Sequence, residues 1–243
     1  MLATYLLIEL KMLCRKKVYL TLSILLPLMF YLLFTTIIEI PSGMEDKFLK
    51  EYMFSMTTFS LTSFCLLSFP IDLVEEQQLG WQKQLFSTRM PISSYYLVKV
   101  LKTMIQFALS IIIIFLSAAW IRHVTMSFSE WLGAALTLWL GASLFLAIGL
   151  LIAQLNDIQK ASGIGNICYI VLALTGGLWF PVNQFPHWLK VIAYKTPTYH
   201  LKQVALDIGK GEQFNWGSMS TLICYSIVFT LIALIIKNKR EVK

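Results

Sequence analysis

Six stretches of this 243-residue sequence contain no Asp, Glu, Lys or Arg, and each is about as long as a membrane crossing. A membrane-spanning helix needs roughly 20 mostly apolar residues, and a charge at its centre costs about 2.5–3.5 kcal/mol. Only 14% of the residues are charged, whereas soluble proteins average about 25%. The sequence therefore predicts an all-α integral membrane protein, a single domain over residues 1–243. The six predicted transmembrane spans are residues 18–38, 52–71, 103–121, 131–156, 161–181 and 217–236.

The distribution of basic residues predicts how the spans are oriented. Six spans place both termini on one side, and with the termini in the cytoplasm 13 of the 20 Lys and Arg residues lie inside. Cytoplasmic loops carry the excess of Lys and Arg in most membrane proteins, so we predict a multi-pass protein with both termini cytoplasmic. Residues 1–17 are apolar, apart from Glu9 and Lys11, until a basic cluster at 15–17. This pattern predicts a helix lying in the cytoplasmic membrane interface.

The sequence lacks the motifs of several enzyme classes. It has no GxxxxGK[ST] loop for ATP, no HExxH zinc motif, and no GxSxG nucleophile motif. The charge-free windows argue against an ion pump or a proton relay, which place ionisable residues inside the membrane. The basic residues are spread over several loops and form no patch for nucleic acid. We therefore predict no catalytic residue, no metal site and no cofactor in this chain.

The connection between the second and third predicted spans is unusually long and polar. It runs over residues 72–102, whereas a connection between antiparallel helices needs about two to eight residues. It contains the stretch EEQQLGWQKQLFSTRMP, residues 75–91, in which Trp81 and Leu85 lie four residues apart and Phe86 is adjacent. One side of a short helix would thus be apolar. Such a helix rests on lipid or docks into a groove of a partner protein, and the pattern alone leaves both possibilities open.

The second predicted span is rich in hydroxyl side chains. Ser55, Thr58 and Thr62 are spaced i, i+3 and i+7, so they share one helix face. A hydroxyl face can hydrogen-bond to a neighbouring helix, or it can line a pathway that tolerates polar groups. The sequence leaves both interpretations open.

The connection after the fifth span combines aromatic residues with prolines. The charge-free window continues past the span to residue 189, with Trp179, Phe180 and Trp188 near its end. Trp and other aromatic residues concentrate at membrane interfaces, so this region is predicted to lie at the outer interface. Prolines interrupt any long helix here, and we expect short helices partly embedded in the outer leaflet. The prolines concerned are Pro181, Pro186 and Pro197.

Two motifs resemble those of bacterial ABC-2 type transporter permeases, the membrane subunits of ATP-binding-cassette exporters, in the branch that includes drug and antimicrobial exporters. The first is an acid-rich segment followed by Gly-Trp, a leucine, Thr-Pro and a second proline. Arg89 stands where the first of these prolines is usual. The matching residues are Glu75, Glu76, Gly80, Trp81, Leu85, Thr88 and Pro91.

The second motif comes after the fifth span and resembles the Gly-Leu-Trp-Phe-Pro, Pro-x-Trp-Leu and Pro-Thr-Tyr-His-Leu pattern of the same branch. The matching residues are Gly177, Leu178, Trp179, Phe180, Pro181, Pro186, Trp188, Leu189, Pro197, Thr198, Tyr199, His200 and Leu201. With six predicted spans, the resemblance covers essentially the whole chain.

The resemblance implies a permease subunit in a bacterial plasma membrane that exports an amphipathic or lipophilic substrate, such as a drug, an antimicrobial peptide or a lipid. A separate ATPase subunit would bind ATP and Mg²⁺, and a second permease subunit, identical or a paralogue, would complete the pathway among the membrane lipids. The N-terminal helix would also lean on the ATPase, and spans two and five would line the pathway. The implied coupling helix comprises Glu75, Glu76, Gly80, Trp81, Leu85 and Phe86.

The resemblance also implies a re-entrant segment of short helices at the outer mouth. Its predicted residues are Trp179, Phe180, Pro181, Trp188, Pro197, Tyr199 and His200. Two other hypotheses remain. The chain could be a membrane scaffold or sensor that binds a cytoplasmic partner without transport, or an integral membrane enzyme with its site near Tyr199 and His200. Co-purification of an ATPase subunit separates the permease from both.

Overall fold

The computed structural model describes residues 2–15, 17–38, 43–87 and 91–241 of the chain. Within these ranges the backbone forms helices joined by turns, without a β-strand, which confirms the all-helical prediction. The helices are α1 (Leu2–Arg15), α2 (Lys17–Ile37), α3 (Glu45–Ser63), α4 (Phe69–Gln78), α5 (Trp81–Ser87), α6 (Ile92–Ile121), α7 (Phe128–Ser143), α8 (Leu146–Ala153), α9 (Ile158–Thr175), α10 (His187–Ala193), α11 (Pro197–Gly209) and α12 (Trp216–Glu241).

Five helical segments of the described chain are long and apolar enough to cross a membrane. They overlap the first, second, third, fourth and sixth predicted spans. The predicted fifth span falls on α9, an 18-residue helix that begins with polar and basic residues, and its crossing stays a prediction. The five segments are Leu20–Ile37, Glu45–Gln78, Ile92–Ile121, Phe128–Ala153 and Trp216–Ile236.

Two of these helices extend well beyond the predicted spans. The second runs over Glu45–Gln78 rather than 52–71, and the third begins at Ile92 rather than 103. The predicted boundaries lie where the first charged residues occur, but charge does not end a helix when the charged side chains find partners. The extra turns carry the acidic and basic side chains that meet at one end of the bundle.

The helix Glu45–Gln78 is the centre of the fold, and 83% of its apolar window is buried, compared with 11% for α12. It contains a π-helical turn, Phe64–Ser68, just before Pro70. Proline has no N–H to donate, and π-turns are a common way to accommodate such interruptions within a helix. The chain therefore continues through Pro70 without breaking the span.

Small residues let two neighbouring helices approach the π-helical turn. A Cβ atom on Gly149 of α8 would lie 2.3 Å from the carbonyl oxygen of Cys65. A Cβ atom on Gly165 of α9 would lie 2.4 Å from the carbonyl oxygen of Leu66. Both distances are far below van der Waals contact, so only glycine permits this backbone-to-backbone packing. Through these contacts α8 and α9 are held against the central helix.

Candidate functional site

The connection between α4 and α6 contains a sharp turn followed by the short helix α5. Gly80 has a φ angle of +73°, a left-handed conformation that glycine adopts without the steric cost other residues incur. The Leu79 N–H donates to the Glu75 carbonyl at 2.9 Å, and the Gln84 N–H donates to the Gly80 carbonyl at 3.1 Å. The turn thus ends α4 and starts α5 within two residues. Thr88 and Arg89, two positions of the sequence motif, lie outside the described residues.

Helix α5 is attached on one side and open on the other. The Phe86 ring packs edge-on against Tyr95 of α6, with ring centroids 5.6 Å apart, and Leu85 is half-buried. Trp81 is 38% exposed and the neighbouring Leu79 is 74% exposed. Large apolar side chains that remain exposed outside the membrane core are typical of contact surfaces. The exposed surface at the start of α5, which we call the α5 tip, comprises Trp81 and the preceding Leu79.

Beneath α5 lies a group of five charged side chains that we call the charged cluster. Lys99 donates to Glu9 at 2.6 Å and also to Glu76. Lys102 donates to Asp72 at 2.5 Å and to Glu9 at 3.2 Å. The members are Glu9 of α1, Asp72 and Glu76 of α4, and Lys99 and Lys102 of α6.

The charged cluster is enclosed by protein. Glu9 and Lys99 are almost fully buried, Glu76 and Lys102 are 6% exposed, and the Tyr95 hydroxyl donates to Glu76 at 2.7 Å. A buried charge is costly unless it is paired and hydrogen-bonded, so these residues stabilise one another only while all are in place. Because α4 and α6 lead directly into and out of the connection that contains α5, the cluster fixes both flanks of that helix and ties them to α1.

The environment of Glu9 favours its ionised form. Burial by itself raises the pKa of this carboxyl, but the nearby Lys99 and Lys102 ammonium groups outweigh that effect and hold the pKa below its usual value. Burial raises the pKa of Tyr5, on the same helix, and the Glu76 and Glu9 carboxylates raise it further. The tyrosine thus remains a neutral phenol beside the ionised acid.

The sequence interpretation missed the charged cluster. It treats Glu9 as an interruption of an interfacial helix, and Asp72 and Lys102 as the limits of the apolar windows. A signal is nevertheless present: Asp72 and Glu76 are four residues apart, and Lys99 and Lys102 are three apart, so each pair shares a helix face. Two complementary faces on consecutive helices indicate interhelical ion pairs. Glu76, predicted in the coupling set, is directed into this cluster, whereas Glu75 is half-buried near the surface.

The hydroxyl face of the second span is enclosed within the chain. Ser55, Thr58 and Thr62 are all buried, and the Thr62 hydroxyl donates to the Thr58 carbonyl of its own helix at 2.7 Å. The interhelical hydroxyl contact is made instead by Ser60, which lies 2.7 Å from the Ser110 hydroxyl. This burial within one chain favours packing over pathway lining.

The predicted outer segment divides into packed and exposed residues. Trp179 contacts Phe59, with ring centroids 5.7 Å apart, and its carbonyl accepts a hydrogen bond from Tyr52 at 2.8 Å. Phe180 and Trp188 are exposed. Pro181 precedes a short 3-10 turn, Val182–Gln184, and Pro197 is buried as the first residue of α11.

Tyr199 and His200, the residues of the enzyme hypothesis, both make contacts within the fold. Tyr199 packs against Tyr194, and His200 Nδ1 lies 3.1 Å from the Ser218 hydroxyl. Burial lowers the pKa of His200. Asp207, the carboxylate on the same helix, accepts bonds from the amides of Gln203 and Asn215 instead. Across the described ranges, no group of three His, Cys, Asp or Glu side chains could hold a metal ion.

Comparison with known proteins agrees with this architecture. The family model of the ABC-2 type transporter matches residues 2–209 of the chain. The chain is 31% identical over 233 residues to the Bacillus subtilis (strain 168) protein named "Putative transport permease YvfS", covering 96% of this chain and 95% of that protein. Together with the apolar helices, these similarities identify a multi-pass membrane protein of the transport permease type.

Proposed function

Because the chain belongs to the ABC-2 type transporter family, we propose that it is the permease subunit of an ATP-binding-cassette exporter in a bacterial plasma membrane. A separate ATPase subunit would bind ATP and Mg²⁺ and supply the energy. The observation that carries the proposal is the α5 tip, an exposed apolar surface on a helix whose base is held by the charged cluster. A helix that receives force from a partner needs an exposed contact surface and a base that is fixed to the membrane helices.

The proposed mechanism is based on these contacts. The ATPase binds the α5 tip, Trp81 and Leu79. When the ATPase closes around ATP, it displaces α5. Because Phe86 packs on Tyr95 and the charged cluster joins α4, α6 and α1, the displacement moves the ends of two spans together. Nucleotide then shifts an equilibrium between two arrangements of the membrane helices. Glu76 contributes through the position of α4, whereas Glu75 lies close enough to the surface to meet the partner.

The proposed topology has six spans, with α9 as the fifth, and both termini in the cytoplasm. The helices α10 and α11, of seven and 13 residues, are too short to cross a bilayer, which needs roughly 20 residues. They are proposed as the short helices at the outer mouth. A Lys195→Cys variant in a cysteine-free background should react with an impermeant thiol reagent in whole cells, because Lys195 is exposed next to α10. Reaction only in opened cells would overturn this topology.

The proposed substrate is an amphipathic or lipophilic compound, such as a drug, an antimicrobial peptide or a lipid. The five described spans expose mainly apolar side chains, and moving a fixed charge along such a surface would be costly. A second permease subunit, identical or a paralogue, is proposed to complete the pathway.

Lining of that pathway by Ser55, Thr58 and Thr62 stays a prediction. Thr58→Val removes the hydroxyl while it keeps the shape of the side chain. If these residues line the pathway, the variant should fold normally and export poorly. Normal export would leave packing as their role.

The direct test of the proposal is to purify the tagged chain from its native membrane in mild detergent and ask which protein accompanies it. A permease subunit should retain an ATPase that hydrolyses ATP and protects α5 from proteolysis. A scaffold that binds some other protein through the α5 tip would give a partner without ATPase activity. That result would exclude the exporter proposal.

A further inference from the structure

Helix α1 has one side packed against the protein and an opposite side that is exposed. On the packed side, the Tyr5 ring stacks on Tyr95 of α6, with ring centroids 6.2 Å apart. Glu9, one turn further along α1, accepts hydrogen bonds from Lys99 and Lys102 of the same helix. These contacts fix which way the rest of α1 points.

The other side of α1 combines apolar and basic side chains. It comprises Leu7, Ile8, Lys11 and Arg15, which we call the exposed α1 face. At about 100° per residue, these four side chains lie within about 100° of one another around the helix. Leu7 is 59% exposed and Ile8 is 44% exposed. The only acidic residue in positions 2–15 is Glu9, which is buried on the packed side, so the exposed α1 face carries positive charge without an acid.

The contacts of α1 with α6 place it at the depth of lipid head groups. Lys99 and Lys102 lie four residues and one residue before Thr103, where the charge-free stretch of α6 begins. At about 1.5 Å per residue, Glu9 is therefore held about 2–6 Å from the start of the apolar stretch. The head-group layer on each side of a bilayer is roughly 5–8 Å thick. In addition, α1 ends only five residues before the apolar window of α2, which begins at Leu20.

A face of this composition at this depth matches an anionic bilayer surface. The apolar side chains of an interfacial helix enter the boundary between head groups and acyl chains, and the long side chains of Lys and Arg extend to the phosphates. A protein partner fits less well, because the face points away from α6 and from the charged cluster beneath α5. That is the side on which the ATPase is proposed to bind.

We propose that the exposed α1 face binds anionic phospholipids, with Lys11 and Arg15 at the head groups and Leu7 and Ile8 among the upper acyl carbons. A zwitterionic lipid carries its own ammonium, which neutralises its phosphate, whereas phosphatidylglycerol leaves the phosphate charge available to a basic side chain. Under the proposed topology this lipid belongs to the cytoplasmic leaflet. The binding goes beyond the export function and does not depend on it.

The lipid contact has a consequence for the charged cluster, because Glu9 lies on the same helix. Lipid that holds the exposed α1 face also holds Glu9 in position and thereby steadies the flanks of α5. The unfolding temperature of the isolated chain should therefore rise with the fraction of phosphatidylglycerol in the bilayer. A constant temperature would overturn this link. An effect of lipid on ATPase coupling, in contrast, rests on the proposed function.

The test of binding uses the full chain, without the ATPase, in nanodiscs of phosphatidylcholine and phosphatidylglycerol. Nanodiscs present both leaflets alike, so the result does not depend on topology. A fluorophore is attached to Thr4→Cys, an exposed position one turn before the face, in a cysteine-free background. One lipid at a time carries brominated acyl chains, which quench the fluorophore on contact. Brominated phosphatidylglycerol should quench more strongly than brominated phosphatidylcholine at the same fraction. A fluorophore on Ile112→Cys, exposed in the middle of α6, should be quenched equally by both.

Charge variants identify the residues responsible. Lys11→Gln and Arg15→Gln should each lower the preference for phosphatidylglycerol by up to about fivefold, the contribution of one basic residue near an anionic surface. The two changes together should abolish it. The pair Lys11→Arg and Arg15→Lys keeps both charges and should keep the preference. Lys160→Gln, which alters an exposed lysine of α9 outside the face, is the matched control.

Three results would overturn the inference. They are equal quenching by the two lipids in the wild type, a preference that survives the double glutamine variant, or quenching that disappears when the ATPase subunit is added. The last result would assign the exposed α1 face to the partner protein. Because the isolated chain is measured first, failure of lipid binding leaves the export function standing. A lipid preference in a chain that retains no ATPase would leave the site standing and refute the exporter.

Discussion

Buried lysine side chains from neighbouring helices lie at both ends of the central helix Glu45–Gln78, but their charges are accommodated differently at the two ends. At one end, Lys99 and Lys102 each contact two carboxylates within the charged cluster. At the other end, Lys202 donates to the backbone carbonyl of Gly177 at 2.9 Å, and its nearest carboxylate, Glu51, lies 3.8 Å away. Glu51 and Glu76 are 25 residues apart on this helix, or about 37 Å at 1.5 Å per residue.

The two kinds of contact suit different roles for the two ends of the central helix. The charged cluster joins three helices through side chains alone, so α1, α4 and α6 are coupled and all depend on a complete set of charges. At the Lys202 end, the backbone of Gly176 packs closely against the Thr198 side chain. A Cβ atom on Gly176 would lie 2.0 Å from the Thr198 hydroxyl, which donates to the Leu172 carbonyl at 2.8 Å. The first arrangement suits a part that transmits movement between helices, and the second suits a fixed cap.

The largest expected effect comes from removing a lysine of the charged cluster. Lys99→Met leaves the buried Glu9 and Glu76 carboxylates short of their common partner. Breaking a buried ion pair on one side costs about 3–5 kcal/mol, so the variant should unfold at a clearly lower temperature in detergent. Lys195→Met, which alters an exposed lysine, is the matched control. A variant that unfolds at the control's temperature would show that the cluster does not hold these helices.

A smaller loss is expected at the opposite end of the central helix. Lys202→Met removes the donor to the Gly177 carbonyl and leaves that oxygen unsatisfied, which costs about 1–3 kcal/mol. The same thermal unfolding experiment measures it beside Lys99→Met. If the Lys202 variant lost as much stability as the Lys99 variant, the contrast between the two ends would fail.

The ionisation of Glu9 should make part of the stability depend on pH. The folded-state pKa of Glu9 lies below its unfolded value, so this residue contributes stability above the unfolded pKa and loses it as the pH falls through the folded pKa. Wild-type protein should therefore become less stable as the pH falls below the ordinary range of a glutamate carboxyl. Glu9→Gln should be less stable at neutral pH and show a shallower acid dependence. An unchanged slope would exclude Glu9 as its source.

The smallest effect on stability is expected at the α5 tip. Trp81→Ala removes a partly exposed side chain that lies outside the charged cluster, and surface substitutions of this kind usually change stability by about 0.5 kcal/mol or less. The isolated chain should therefore unfold at nearly the wild-type temperature. A large loss would mean that Trp81 is part of the fold and not a free contact.

The sequence revealed the parts of the fold that depend on neighbours in the chain. Apolar windows predicted the helices because the bilayer requires them. The family resemblance placed Gly80 and Trp81 in the coupling helix, and the structure has the turn into α5 there, with a positive φ angle at Gly80. The charged cluster depends on residues as distant as Glu9 and Lys102, and a scan of consecutive residues cannot show that they meet. Likewise, the face with Ser55 and Thr58 was visible in the sequence, but its enclosure by other helices was not.

The most direct test of the account compares two tryptophans on the purified complex with its ATPase. Trp81→Ala removes the apolar anchor of α5, whereas Trp188→Ala removes an exposed side chain of the same type from α10, in the predicted outer segment. Loss of an aromatic anchor from an interface commonly costs about 2 kcal/mol or more. Trp81→Ala should therefore release the ATPase or uncouple its hydrolysis from transport, with the Trp188 variant unaffected. Wild-type binding and coupling in Trp81→Ala would contradict the claim that α5 receives the force of the ATPase.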